Sequence, residues 1–110
     1  MDPIAYDDFA KLELRVGQVV SAEKVDGSDK LVKLSVDVGE EAPRILVAGI
    51  AKVYTVDQLT GRKIIVLCNL EPKKLKGIES QGMLLAAGEA AEDLALLSPS
   101  HDIHVGTRIY

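Results

Sequence analysis

NLEPKKLKGIESQGMLLAA, residues 69–87, decides more about the fold than any other stretch of the chain. Directly upstream, Lys63–Cys68 (KIIVLC) is an apolar run of strand length rich in β-branched residues. Pro72 stops regular pairing because it lacks a backbone donor. Lys73, Lys74 and Lys76 then crowd into four positions, Gly77 and Gly82 punctuate the segment, and Met83–Ala87 reads as the next buried strand. A basic, glycine-hinged loop between two core strands suits a phosphate-binding rim on a β-barrel. The same residues equally describe a solvated connection with ordinary surface lysines.

Working outward, further short strands surround this segment. Leu14–Val25 reads as a long strand carrying Leu14, Val16, Val19 and Val20, with Gly17 as a bulge or a point of close approach. Asp26–Asp29 is a turn cluster. Leu31–Val38 alternates, with Lys33, Ser35 and Asp37 on one face and Val32, Leu34, Val36 and Val38 on the other, the pattern of a half-buried antiparallel strand. Gly39–Pro43 is a turn, Ile45–Ala48 a short buried strand, and Ile50–Leu59 a short helix or irregular crossing. Asp7 or Asp8 is placed to cap a helical turn running through Leu12, with Phe9 turned inward. Leu94–Leu97 and Val105–Ile109 are two further strand candidates in an acidic tail. Five core strands with glycine at the bends and one crossing between the third and fourth fit an all-β, five-stranded OB barrel with short helical segments and a C-terminal extension. An SH3-like barrel or small sandwich would show similar patterning.

At 110 residues and 47% apolar content the chain makes one folded domain, with a barrel core over about residues 12–88. No apolar run approaches the roughly 20 residues that span a bilayer, and the acidic opening MDPIAYDDF lacks the layout of a secretory signal. The single cysteine, Cys68, reads as a small buried hydrophobe. Cytoplasm is the expected setting. The net charge of −4 opposes polyanion binding, but it is unevenly spread: the balance is −5 over residues 1–41, +4 over 42–87 and −3 over 88–110. Because phosphates respond to the field within roughly 8–10 Å, a basic middle permits modest, site-restricted binding.

The motifs then show a likeness. NLEPKKLKGIESQGM resembles the signature loop of the structure-specific tRNA-binding OB domains, which are appended to many methionyl-tRNA synthetases, occur as free-standing dimeric tRNA-binding proteins, and are shared by the endothelial monocyte-activating polypeptide II group. Phe9–Gly17 (FAKLELRVG) is similar to the family's opening, Gly27–Val38 (GSDKLVKLSVDV) to its second strand, and Arg44–Gly61 (RILVAGIAKVYTVDQLTG) to its third strand and crossing. The resemblance covers nearly the whole chain, and it selects the OB barrel among the all-β alternatives.

Catalytic equipment is sparse. The chain has no Walker loop, no GxGxxG, no nucleophile elbow and no cysteine pair for zinc. His101 and His104, with Asp102 between them, fall short of the three or four ligands a metal site needs. The expectation is a non-catalytic protein without cofactor or metal. Aromatics are only Tyr6, Phe9, Tyr54 and Tyr110, too few for a base-stacking platform, so recognition of a folded RNA by backbone and shape fits better.

Carried over by position, the resemblance assigns tRNA binding to Lys30, Asn69, Lys73, Ser80 and Met83. Lys73 meets phosphate as a point charge, Asn69 and Ser80 reach a ribose hydroxyl or base edge, and Met83 offers polarizable apolar surface to an unstacked base. Each has a plainer alternative: Asn69 as a turn cap, Ser80 bonded locally, Met83 in the core. Arg44, Lys74 and Lys76 join on charge, Gln81 stands where many relatives carry Glu, and Glu71 partly offsets Lys73. The implied partners are tRNA, a second copy of the chain bound through the N-terminal segment and residues 89–110, and the catalytic part of a methionyl-tRNA synthetase. A protein-binding export chaperone of the same OB family is the alternative.

Overall fold

The computed structural model describes residues 1–110. In chain order it contains α1 (Tyr6–Ala10), β1 (Leu14–Lys24), β2 (Val32–Asp37), β3 (Arg44–Ala48), α2 (Val56–Leu59) and β4 (Lys63–Leu67). The second half adds β5 (Lys73–Leu75), β6 (Ile78–Ser80), β7 (Met83–Leu84), β8 (Ala86–Ala87) and β9 (Ala95–Leu96). The main sheet runs β3-β2-β1-β4-β7, all antiparallel, and curls into a nearly closed barrel; β5-β6 and β8-β9 are separate two-stranded ribbons. This is the all-β OB-like architecture expected. The alternation of β2 holds throughout: Val32, Leu34, Val36 and Val38 are all buried, packed with Leu46, Ile64, Val66 and Leu84. Thr55 caps α2 reciprocally with Gln58, and this short helix drives Leu59 into the same core.

β1 is long because it serves two partners. Leu14–Gln18 pairs with β4, and Gln18–Lys24 pairs with β2. The register slips between Val19 and Ser21, so Val20 is the bulged residue and turns outward, 52% exposed. Gly17 is the point of close approach: a Cβ there would lie 2.9 Å from Val36 Cγ1 and 3.1 Å from Val66 Cγ2.

Other elements differ from expectation. α1 starts from Ala5 without a side-chain cap; Asp7 and Asp8 lie inside its first turn, and Phe9 is only half-buried, tilted against the exposed Tyr6 ring. The basic loop is itself structured, because residues 73–80 fold into the β5-β6 hairpin. Met83–Ala87 is not one buried strand. Leu84 is buried, Met83 is exposed, and the chain then leaves the barrel so that Ala86 and Ala87 pair with Leu96 and Ala95. Leu94 and Leu96 pack back onto the core from that ribbon.

The end of the tail lies along the edge of β1 that β2 leaves free. Gly106 N–H donates to Val16 O, Val16 N–H to Thr107 O, and Ile109 N–H to Leu14 O. Ladder pairing there reduces to one bridge between Arg15 and Arg108. The docking requires two glycines, since Gly39 (φ 86°) and Gly106 (φ 88°) meet backbone to backbone, and a Cβ on Gly39 would sit 2.9 Å from Gly106 Cα. Gly39→Ala should therefore destabilise the fold by about 1–3 kcal/mol, through the left-handed backbone and the clash together. Urea unfolding followed by circular dichroism measures it.

Candidate nucleic-acid interface

A barrel with the order β3-β2-β1-β4-β7 has a seam between β3 and β7, and side chains close it. Arg44, at the start of β3, donates from Nη1 to the carbonyls of Cys68 (2.6 Å) and Gln81 (2.8 Å), while Nε and Nη2 clasp both Glu40 carboxylate oxygens at 2.8 and 2.9 Å. Gln81 Oε1 accepts from Ile45 N–H, and Gln81 N–H donates to Ile45 O, both at 2.8 Å. Buried Ser80 Oγ accepts from Val47 N–H at 3.0 Å and donates to Gly82 O at 3.1 Å. The free edge of β3 is thereby satisfied with no further strand. Burial pushes the Cys68 thiol up, consistent with an inert interior residue.

This closure presses the β5-β6 hairpin against the outer wall of β3. Between them lies a groove of about 190 Å³ whose apolar lining is Val47, Leu70, Leu75 and Met83. Lys73, Glu71, Ser80 and Gly82 complete it. Lys73 pairs with Ser80 across the hairpin and shares this groove; Lys74 pairs with Glu79 one position on and so projects from the opposite face. At the hairpin tip a second cleft of about 300 Å³ brings Lys76 and Ile78 to the far ends of β1 and β2, where Glu23, Lys24, Val25, Asp26 and Lys33 line it.

The sequence-assigned residues thus separate into groups. Lys73, Ser80 and Met83 come together in the first groove, and Met83 at 46% exposure is a surface residue, not core. Lys76 lies in the second cleft, and Lys30 stands on the turn before β2 outside both. Asn69, Arg44 and Gln81 are committed to the scaffold. Asn69 Oδ1 accepts from Glu13 N–H (2.8 Å) and its Nδ2 donates to Lys11 O (2.6 Å), tying the N-terminal segment to the start of the loop. Lys24 and Lys33, which the sequence does not single out, also line the second cleft. Lys33 sits on the polar face of β2 that alternation already marked, but only the hairpin's position gives that face a facing wall.

Charge pairing sharpens the picture. Of 13 lysines and arginines, eight are engaged. Lys11, Arg15, Lys33, Arg44, Lys52, Lys63 and Arg108 are in ion pairs, and Arg62 lies over the Tyr54 ring and donates to Gln58 O. The five without a partner are Lys24, Lys30, Lys73, Lys74 and Lys76, all exposed, and all on two segments: the β1-β2 end and the hairpin. Asp26, Asp29, Glu71 and Glu79 stand among them and limit the field.

A family model described as "Putative tRNA binding domain" matches residues 14–108. The chain belongs to this family. The methionine–tRNA ligase of Methanococcus aeolicus is 55% identical over 109 residues, covering 99% of this chain and 16% of the ligase. The crystal structure of a MetRS related protein from Pyrococcus horikoshii superposes with a TM-score of 0.91 at 40% identity, covering 100% of both chains. That of the chaperone CsaA from Bacillus anthracis gives 0.89 at 31% identity, covering 99% of this chain and 100% of the other. The chain spans about a sixth of the length of the ligases it matches.

The seam also sets an acid dependence. The Arg44 hydrogen bonds hold the Glu40 carboxyl below its ordinary value of 4.5, and Glu40 in turn raises Arg44. A depressed folded value means that the unfolded chain takes up the proton first as acid is added. The contribution is therefore complete above the ordinary value and is lost as pH falls through the folded one. Melting temperature should fall more steeply between about pH 5 and pH 3 in the parent than in Glu40→Gln, measured by thermal scans across that range.

Proposed function

We propose that this domain binds folded tRNA by backbone and shape, with little preference among acceptor species and no chemistry of its own. The observation that carries the reading is the confinement of every unpaired cation of an acidic chain to the hairpin and the neighbouring β1-β2 end. Phosphate contacts in this arrangement come from Lys73 together with its unpaired neighbours Lys30, Lys74 and Lys76. Met83, beside Val47 and Leu75, gives an unstacked base an apolar seat. Asn69, Ser80, Arg44 and Gln81 act by holding the groove in shape. The domain serves as a free-standing protein or as an appended part or subunit of a methionine–tRNA ligase, in the cytoplasm; no helix is long and apolar enough to cross a membrane.

With about three phosphates engaged per protomer, the slope of log affinity on log salt is expected near −2 to −3. Gel shift of a folded tRNA against an unstructured oligonucleotide of equal length tests the shape reading, which requires the tRNA to bind tighter. Failure of both to bind favours the chaperone reading suggested by the CsaA likeness. Lys73→Ala should weaken tRNA binding by roughly 1 kcal/mol and reduce the salt slope by about one. Met83→Ala should weaken binding with the slope unchanged and the melting temperature preserved, because an exposed side chain leaves no cavity.

The second part of the reading is a symmetric dimer. Ile4 (71% exposed), Tyr6 (73%), Leu12 and Tyr110 (95%) bring apolar surface to the two chain ends. Arg108 Nη2 donates to Ala10 O and Leu12 O, so these ends form one continuous surface. A second copy covering it would make an isologous interface. Light scattering after size exclusion should give twice the chain mass at tens of micromolar, and Tyr6→Asp should shift it toward monomer.

A further inference from the structure

Residues 11–13 belong to no helix or strand, and bonds from two directions set their place. From the barrel, Asn69 Oδ1 accepts from Glu13 N–H at 2.8 Å, Asn69 Nδ2 donates to Lys11 O at 2.6 Å, and Cys68 N–H donates to Glu13 O at 2.8 Å. From the tail, Arg108 Nη2 donates to Ala10 O at 3.2 Å and to Leu12 O at 3.5 Å, while Nη1 stands 3.6 Å from Glu13 Oε2. Arg15 takes the other Glu13 oxygen at 2.9 Å and donates to Gly106 O at 2.9 Å. The Arg108 side chain is 50% exposed, so its ion pair adds little to stability. What a planar fork on three acceptors does is fix position. Directly after Asn69 come Leu70 and Glu71, which line the groove with Lys73 and Met83. That wall is thus tied through one amide to a segment that the tail holds.

We propose that Arg108 is a positioning residue for RNA binding: it holds residues 10–13, and through Asn69 that segment fixes the groove wall formed by Leu70 and Glu71. The proposal rests on the tRNA reading. Arg108 meets no phosphate, because its guanidinium is engaged by Glu13 and two carbonyls. Asn69 meets no RNA, because both ends of its amide are occupied. Removing either lets the start of the loop sample other positions, and RNA binding then includes an ordering cost that the parent avoids. Removing both adds little to removing one, since the two act in series.

The test reads dissociation constants for a folded tRNA transcript over a salt series, at a temperature where circular dichroism shows every variant folded. It compares the parent with Arg108→Ala, Arg108→Lys, Asn69→Ala, Lys73→Ala and the double variant Arg108→Ala with Asn69→Ala. Arg108→Ala and Asn69→Ala should each weaken binding roughly five-fold with the salt slope unchanged, and the double variant by well under the roughly 25-fold of independent sites. Arg108→Lys should behave as Arg108→Ala, because an ammonium cannot span the three acceptors. The Met83 methyl resonance of the RNA-free protein should shift in both single variants. A salt slope smaller by about one in Arg108→Ala, or rescue by Arg108→Lys, would make Arg108 a phosphate contact and overturn the proposal. Full multiplication of the two single effects would overturn it as well, and so would a loss seen only where light scattering shows a changed particle mass. If Lys73→Ala weakens binding while Arg108→Ala matches the parent, the relay is wrong and the tRNA reading stands. If the parent binds no tRNA, both fall.

Discussion

The guanidinium of Arg44 is the interaction on which the rest of the molecule depends. A five-stranded sheet that stops short of full closure leaves two strand edges with unpaired donors and acceptors, and an unpaired buried group costs about 1–3 kcal/mol. Here the edges belong to β3 and β7, and Arg44 sends a planar, charged donor fork from the start of β3 across the seam to the carbonyls of Cys68 and Gln81. Glu40 fixes the fork from behind, and Ser80 and Gln81 satisfy the remaining groups of Ile45 and Val47. At the seam itself the chain passes through Gly82, where a Cβ would lie 2.9 Å from Leu67 O. Through Ser80 and Gln81 the base of the hairpin that follows Pro72 is bonded to β3, and a held base lowers the ordering entropy that binding has to overcome.

Polyanion binding by an acidic chain becomes intelligible through pairing rather than net charge. Surface ion pairs contribute little to stability, about 0–1 kcal/mol each, but each removes a cation from the field that an approaching phosphate meets. Most of the basic residues of this chain are neutralised locally by such pairs. The remainder act at short range, within about a Debye length, and acids standing among them keep the attraction modest. Such a surface favours a partner that places several phosphates at the right spacing over one that merely carries charge.

Local pattern made the barrel legible and left its closure hidden. The alternation of β2 is visible because each valine has a polar neighbour and the core side is uniform. The signature loop was visible as a segment, but its hairpin was not: three-residue strands carry too little alternation to register, and Lys-Lys-Leu reads as plainly as loop as it does as strand. Met83–Ala87 looked like one buried strand because alanine is apolar whether or not it is covered. The departure from the sheet after Leu84 goes with the packing of Leu94 and Leu96 onto the core, ten and twelve residues away. Arg44 and Gln81 read as candidates for ligand contact because a polar residue beside a basic loop carries no local sign of partners across the seam; apart from Glu40, four residues from Arg44, those partners lie 24 to 37 residues distant.

Asn69 shows what such a motif residue does when its amide is already occupied. Its two polar ends bind Lys11 and Glu13 on either side of Leu12, while Glu13 and the backbone next to it are held by Arg108 from the tail. The loop that carries the free lysines and the two chain ends that carry the exposed apolar surface are therefore joined through one amide and one guanidinium. Covering that apolar surface with a second copy would stiffen residues 10–13, and through Asn69 it would stiffen the start of the loop. Loss of the amide would loosen both together. The physical link between the two regions is thus short: a single side chain, bonded at both ends, standing between the exposed apolar chain ends and the loop that carries the free lysines.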